Sequence, residues 1–291
     1  MADSKVWFIT GTSSGFGRGM TEFLLKQGHK VVATLRKPEA LSDLVGQYPA
    51  TQLLVVKLDV TQSADITAAF EKAHGVFGRI DVVFNNAGQM INGEVEAIDE
   101  TEARGMFDIN FWGAAQVSRE AVRFFREVNQ PQGGRLLQLS SGLGLVSAAG
   151  YGYYSASKFA LEGLSEALAN ELDPAWNIKA SVVVILVTLL EPGPFRTQLS
   201  TGNNRLAPVH PAYADPSLPG SQFRASFATG VFYDGNPEKA CAAFEKASRL
   251  EDPPIRLPLH RRVLGMASGK GKSLLEAVER YGTWSDDLYF D

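Results

Sequence analysis

Thr10-Gly11-Thr12-Ser13-Ser14-Gly15-Phe16-Gly17 is the stretch on which the fold turns. The four residues before it, Val6 to Ile9, form a short apolar run of strand character. The residues after it keep a helical period to about Gln27, where Gly28 stops it. The unit then restarts. Val31 to Thr34, Leu53 to Leu58, Ile80 to Phe84 and Leu136 to Leu139 are further short apolar runs, separated by helical stretches near 63–74, 100–126 and 154–172. Short strands alternating with helices predict an α/β fold, a doubly wound parallel sheet with helices on both faces.

The rest of the chain fits one domain over 1–291. An apolar stretch from Ile178 to Leu190 is longer than the usual strand of about 5–6 residues. Residues 198–235 lose periodicity and gather Pro208, Pro211, Pro216 and Pro219 with several glycines, which predicts a long substrate loop or lid. Asn236-Pro237 offers a cap and a first-position proline for a helix to about Leu250. Ile255 to Leu257 is a strand candidate, and 272–281 closes the chain as a helix.

Composition bounds the function. The 291 residues carry 28 Lys plus Arg against 32 Asp plus Glu, a formal charge of −4, with 45% hydrophobic and 21% charged residues. That is a globular balance without the basic footprint of a nucleic-acid binder, and the cluster His260-Arg261-Arg262 is read as a solvated loop. The longest apolar run, Val182 to Leu190, is about half of the roughly 20 residues that span a bilayer, so no membrane segment is expected. A single cysteine, Cys241, and no apolar leader after Met1 point to the cytoplasm. His29, His74, His210 and His260 are scattered, so no metal site is expected.

Glycines between a strand and a helix let the backbone turn tightly and approach a pyrophosphate held at the helix N-terminus. The spacing here is G-x-x-x-G-x-G, less specific alone than the better known G-x-G-x-x-G, and a ligand-free tight turn is the competing reading. About 20 residues on, dinucleotide folds that use NAD place a carboxylate for the ribose hydroxyls. This chain has Arg36-Lys37 there, which favours the 2′-phosphate of NADP, and Ser14 could add a contact; the competing reading is two solvated loop charges.

Among Tyr151, Tyr153 and Tyr154, only Tyr154 has a lysine four residues on, Lys158, and such a pair shares a helix face. A phenol ionises near pH 10, and a neighbouring ammonium is expected to lower it toward the range of an acid/base catalyst. A Tyr-x-x-x-Lys pair is common on ordinary helices, so the companions matter. Ser140-Ser141 ends one strand and Asn85-Asn86-Ala87-Gly88 another, both at carboxyl edges that face a ligand crevice. Asn110 sits inside a helical stretch where asparagine is poor on propensity, so it has either a polar task or a solvent-facing place.

Together these residues resemble the short-chain dehydrogenase/reductase family, in its single-domain branch. The likeness runs in order over about residues 5–198, through Thr10 to Gly17, Asp59-Val60, Asn85 to Gly88, Asn110, Ser141, Tyr154 to Lys158, and Pro192-Gly193 with Thr197. The resemblance implies a Rossmann-like sheet and a catalytic set of Asn110, Ser141, Tyr154 and Lys158. It also implies cofactor contacts from Gly11, Ser13, Ser14, Gly15, Phe16 and Gly17, from Asp59, Val60, Asn86, Ala87 and Gly88, and from Tyr154, Lys158, Pro192, Gly193 and Thr197. Phe16 stands where relatives have Ile or Leu. The run Ala180 to Leu190 is longer than in relatives, so extra chain must be extended, looped or bulged before Pro192.

The resulting expectation is an NADP-dependent oxidoreductase acting on a ketone, aldehyde or secondary alcohol. Met90, Leu143, Tyr151 and Phe195, with Phe223 and Phe227 from the loop, are expected to line an apolar substrate pocket. The alternatives are a non-catalytic, NADP-sensing regulator of the same fold, and a sugar-nucleotide epimerase, whose larger substrate domain is not visible. The resemblance further implies a homodimer or homotetramer paired through 100–126 and 154–172.

Overall fold

A computed structural model describes residues 4–172, 185–197, 204–229 and 233–290. Nine strands and nine α-helices are named among them. Seven strands, β1 (Val6–Thr10), β2 (Lys30–Leu35), β3 (Leu53–Lys57), β4 (Val82–Asn85), β6 (Gly134–Leu139), β7 (Ile185–Pro192) and β9 (Arg256–Leu259), form one sheet in the order β3-β2-β1-β4-β6-β7-β9. Every neighbouring pair is parallel. The order reverses between β1 and β4, which opens a crevice at the carboxyl ends of the strands.

Both faces are covered, as a buried parallel sheet requires. On one face α3 (Ser63–Phe77), α5 (Ala114–Glu127) and α6 (Gly152–Glu171) pack Ile66, Phe70, Val117, Phe124 and Leu168 against Phe8, Val83 and Leu136. On the other, α1 (Gly15–Lys26) and α8 (Pro237–Ala247) pack Met20, Leu24, Cys241 and Phe244 against Trp7, Ile9 and Phe84, beside the short α2 (Ser42–Val45). The α8 start is built as its sequence implies. Pro237 holds the first turn, and the Asn236 side chain accepts from the amides of Glu238 (2.9 Å) and Lys239 (3.2 Å). Among the described residues no helix is long and apolar enough to cross a membrane.

Four expectations change. The stretch 100–126 is not one helix: α4 (Glu100–Phe107) passes through a π-helical turn at Asp108–Gly113 before α5 begins. The segment expected as an irregular loop holds β8 (Asn204–Leu206), a 3-10 turn at Pro211–Tyr213 and α7 (Pro219–Thr229). Pro219 does not break that helix because it stands at its first position, where no amide is needed. β8 pairs in parallel with β5 (Met90–Asn92) as a separate two-stranded sheet. The last helix, α9 (Arg261–Tyr281), starts at Arg261 rather than 272, so Arg261 and Arg262 are helical. Of the long apolar run, Ile185 onward forms the eight-residue β7 in register with β6, whereas Ile178 to Val184, like 198–203, lie outside the described residues.

Candidate active site

The quoted turn is held by backbone demands that glycine alone meets. Gly11 and Gly15 have φ of +71° and +56°. A Cβ on Gly11 would stand 2.9 Å from the Ala87 Cα, and one on Gly17 would collide with the Gly11 carbonyl. Thr10 ties the turn to the end of β4: its hydroxyl accepts from the amides of Asn86 and Ala87, both at 2.9 Å. The Asn86 side chain returns the tie by donating to the carbonyls of Thr10 (2.8 Å) and Gly11 (3.2 Å). Ser14 occupies the N-cap of α1 without capping it through its side chain. The partial positive charge of that helix end therefore points into the crevice.

A cavity of about 780 Å³ runs along this edge. At one end lie Arg36, Asp59 and Val60; in the middle Gly11, Ser13, Ser14, Gly15, Phe16, Asn86, Ala87 and Gly88; at the other end Ser141, Tyr154, Lys158, Pro192, Gly193 and Thr197. Two residues of the expected set are not on its wall. Gly17 lies behind Gly11, and Asn110 is buried in the π turn, where its side chain accepts from the Gln89 amide (2.9 Å) and donates to the Gln89 carbonyl (2.9 Å) and Ser157 Oγ (3.1 Å). Its amide thus braces the 86–89 turn. Asp59 turns its carboxylate onto the Thr61 amide and hydroxyl, at 3.0 and 2.8 Å.

Tyr154 is buried on α6, and its hydroxyl is hydrogen-bonded with Ser141. Burial pushes its pKa up to about 12, against the lowering by Ser141. Lys158 donates to the Leu139 carbonyl at 2.8 Å and stands 6.0 Å from the centre of the Tyr154 ring. Burial brings the Lys158 pKa down to about 8, with Glu162 opposing. The expected lowering of the phenol by its lysine is therefore overturned here, because desolvation disfavours the charged form of both groups. At neutral pH Tyr154 carries its proton.

The loop after β7 is anchored by rings. Phe195 packs edge-on against Phe16 (5.4 Å) and His260 (5.4 Å), and Phe16 reaches Phe244 (5.2 Å). Phe16 thus joins the phosphate turn to the 192–197 loop. Gly193 has no space for a side chain, since a Cβ would stand 2.6 Å from the His260 ring. Met90, Leu143, Tyr151 and Phe195 line the cavity as expected, whereas Phe223 and Phe227 do not. They stack behind it, Phe223 on Tyr151 (4.7 Å) and Phe227 on Phe223 (5.7 Å). Sequence reasoning missed Tyr233, hydrogen-bonded with Tyr151, and Val263 and Met266 of α9. No local spacing marks these residues, which reach the crevice from beyond the last of the quoted motifs.

Known proteins agree with this geometry. A family model described as short chain dehydrogenase matches residues 5–206. Oxidoreductase calM of Penicillium decumbens is 35% identical over 286 residues, covering 96% of this chain and 91% of that one. A 3-ketodihydrosphingosine reductase of Bacteroides thetaiotaomicron is 35% identical over 254 residues, covering 87% and 86%. The crystal structure of a short-chain dehydrogenase from Streptomyces avermitilis superposes with a TM-score of 0.86 at 34% identity, covering 99% of this chain and all of the other. The chain belongs to the short-chain dehydrogenase family and is an oxidoreductase.

Proposed function

We propose that the protein is an NADP-dependent reductase or dehydrogenase that interconverts an apolar ketone or aldehyde and its alcohol. The observation that carries this reading is the buried Tyr154, hydrogen-bonded with Ser141 at the end of the cavity walled by Met90, Leu143 and Tyr151. The glycine cradle fits a dinucleotide, since Gly11 and Gly15 line the cavity without side chains where α1 begins. Gly11 to Gly17, Asp59, Val60, Asn86 to Gly88, Lys158 and Pro192 to Thr197 would hold the group, with Arg36 at the 2′-phosphate. When bound, it supplies or accepts a hydride.

In reduction, Ser141 and Tyr154 hold the carbonyl oxygen, and Tyr154 delivers its proton to that oxygen. The Lys158 ammonium stabilises the negative charge left on the phenol. In oxidation the same groups run in reverse. Asn110 acts behind them as a brace on the 86–89 turn. The name of the Bacteroides relative, a 3-ketodihydrosphingosine reductase, supports a ketone as the substrate. Exposed Trp112 and Phe159, on the segments from which family members pair, support a homodimer or homotetramer.

The test is kcat/KM with NADPH and NADH over a panel of carbonyls and alcohols, at fixed salt. A guanidinium on a phosphate contributes about 1.5–3 kcal/mol, so NADPH is expected to be preferred by roughly tenfold to a hundredfold. Arg36→Asp should abolish or reverse that preference. Equal use of both cofactors by the wild type, or an unchanged ratio in the variant, would refute the assignment of NADP.

A further inference from the structure

Directly beneath the reactive pair lies a set of charges that the chemistry above does not use. Glu162 follows Lys158 by one turn of α6, Glu191 ends β7, and Arg256 begins β9. Both carboxylates are buried and Arg256 is half-buried. Ser140 Oγ donates to Glu162 Oε1 at 2.6 Å, and Arg256 Nη1 lies 3.3 Å from Glu162 Oε2. Ser140 precedes Ser141, and a Cβ on Gly144 would collide with both Glu162 Oε1 and Ser140 Oγ. The carboxylate is thus packed into the inner side of the 140–144 turn that presents Ser141.

We infer that Glu162 is a positioning residue: through Ser140 it fixes the turn carrying Ser141, and by its charge it keeps Lys158 an ammonium. Removing a carboxylate from water is costly unless hydrogen bonds and cations compensate, and here both are supplied. Two carboxylates, Glu162 and Glu191, face two cations, Lys158 and Arg256. Arg256 also reaches the exposed Glu166 at 3.0 Å. Among the described residues Glu162 is the one charge acting on Lys158; the π turn, α4, α5 and β5 add none, and Tyr154 meets it with its ring. Burial raises Glu162, and burial with Glu162 nearby pushes Glu191 up to about 7. Neither Glu191 oxygen has a hydrogen-bond partner among the described residues.

The sign follows from these contacts. Glu162 raises the Lys158 pKa against burial, so losing its charge makes Lys158 release its proton at lower pH. Glu162→Gln keeps an oxygen for Ser140 and removes only the charge. Ser140→Ala keeps the carboxyl group and removes the tie, and with it a hydrogen bond that favours the ionised Glu162. The inference rests on the reading that Tyr154 and Lys158 run turnover, so two readouts are used. The first is the pH profile of kcat. The second, on protein without cofactor, is the pH midpoint for acetylation of Lys158 by acetic anhydride, followed by peptide mass spectrometry.

In Glu162→Gln the alkaline limb and the acetylation midpoint should both move down by about one pH unit. In Ser140→Ala kcat should fall about tenfold, as expected when a reacting group is mispositioned, with the limb moving less than in Glu162→Gln. An unmoved acetylation midpoint in Glu162→Gln, or an undiminished kcat in Ser140→Ala, overturns the inference. A wild type without turnover would instead refute the functional reading, while acetylation still tests the charge. Should Glu162→Gln not fold, Glu162→Asp must retain the wild-type midpoint, and a lowered one there counts against the inference.

Discussion

The two ends of the crevice are made in different ways. The phosphate cradle is local: within 10–17 the chain turns on positive-φ glycines, and Thr10 and Asn86 tie it to the end of β4. The substrate end is assembled from far apart. Tyr151 leans on Phe223, Tyr233 reaches Tyr151, and Val263 and Met266 arrive from the last helix. Its outer support, α7, is fastened by Arg224, which donates to Glu94 at 2.9 Å and to the Ala207 carbonyl at 2.7 Å. A tight local turn fixes what every dinucleotide shares. A wall of long-range contacts can be exchanged piece by piece, which suits it to the substrate choice proposed for that end.

The sharpest break between the two ends is Tyr154→Phe. It removes the transferable proton and leaves the ring and the cradle in place. Turnover should fall by about a thousandfold, within the usual range for a positioned acid/base, while NADPH affinity measured by fluorescence stays within about twofold of wild type. Full activity would show that another group supplies the proton.

Gly17→Ala attacks the other end. The new methyl must push the Gly11 carbonyl away, and overpacking of this kind costs about 1–3 kcal/mol. NADPH affinity should drop by roughly tenfold to a hundredfold, with a lower melting temperature, measured by calorimetry. Unchanged affinity would mean that the turn yields without penalty and is not the rigid half of the comparison.

The smallest effect is expected at the α7 fastening. Glu94→Gln replaces a charged partner of Arg224 with a neutral one, a loss of about 1 kcal/mol, so KM for the carbonyl should rise about fivefold. The dissociation constant of NADPH should not move. An equal change in both would show that the two ends are one mechanical unit.

What was legible follows the same division. Gly11, Gly15 and Gly17 announce themselves because no other residue meets their φ or their space, and Tyr154 was singled out by the helical spacing to Lys158. The π turn was not legible, since one extra residue per turn barely disturbs an apolar pattern, and Asn110 took its buried place through contacts with Gln89 and Ser157. α7 was hidden by Pro219 and Gly220, which serve as breakers inside a helix and as starters at its head. α9 was shortened because most of it is exposed, leaving little apolar period to follow. The pairing of β5 with β8 joins Met90 to Asn204, a distance in sequence that no window spans.

The strand order has a consequence for how the chain is made. β2 pairs with β1, β3 with β2, β4 with the free side of β1, and then β6, β7 and β9 each with the strand before it. Every strand therefore joins an edge that is open when it leaves the ribosome, and none has to be inserted between two paired neighbours. Growth of the sheet can keep pace with synthesis, without the long wait that non-local pairing otherwise imposes. A nascent chain that ends near residue 150 already owns the glycine turn but has neither Tyr154 nor the 192–197 loop that closes the crevice.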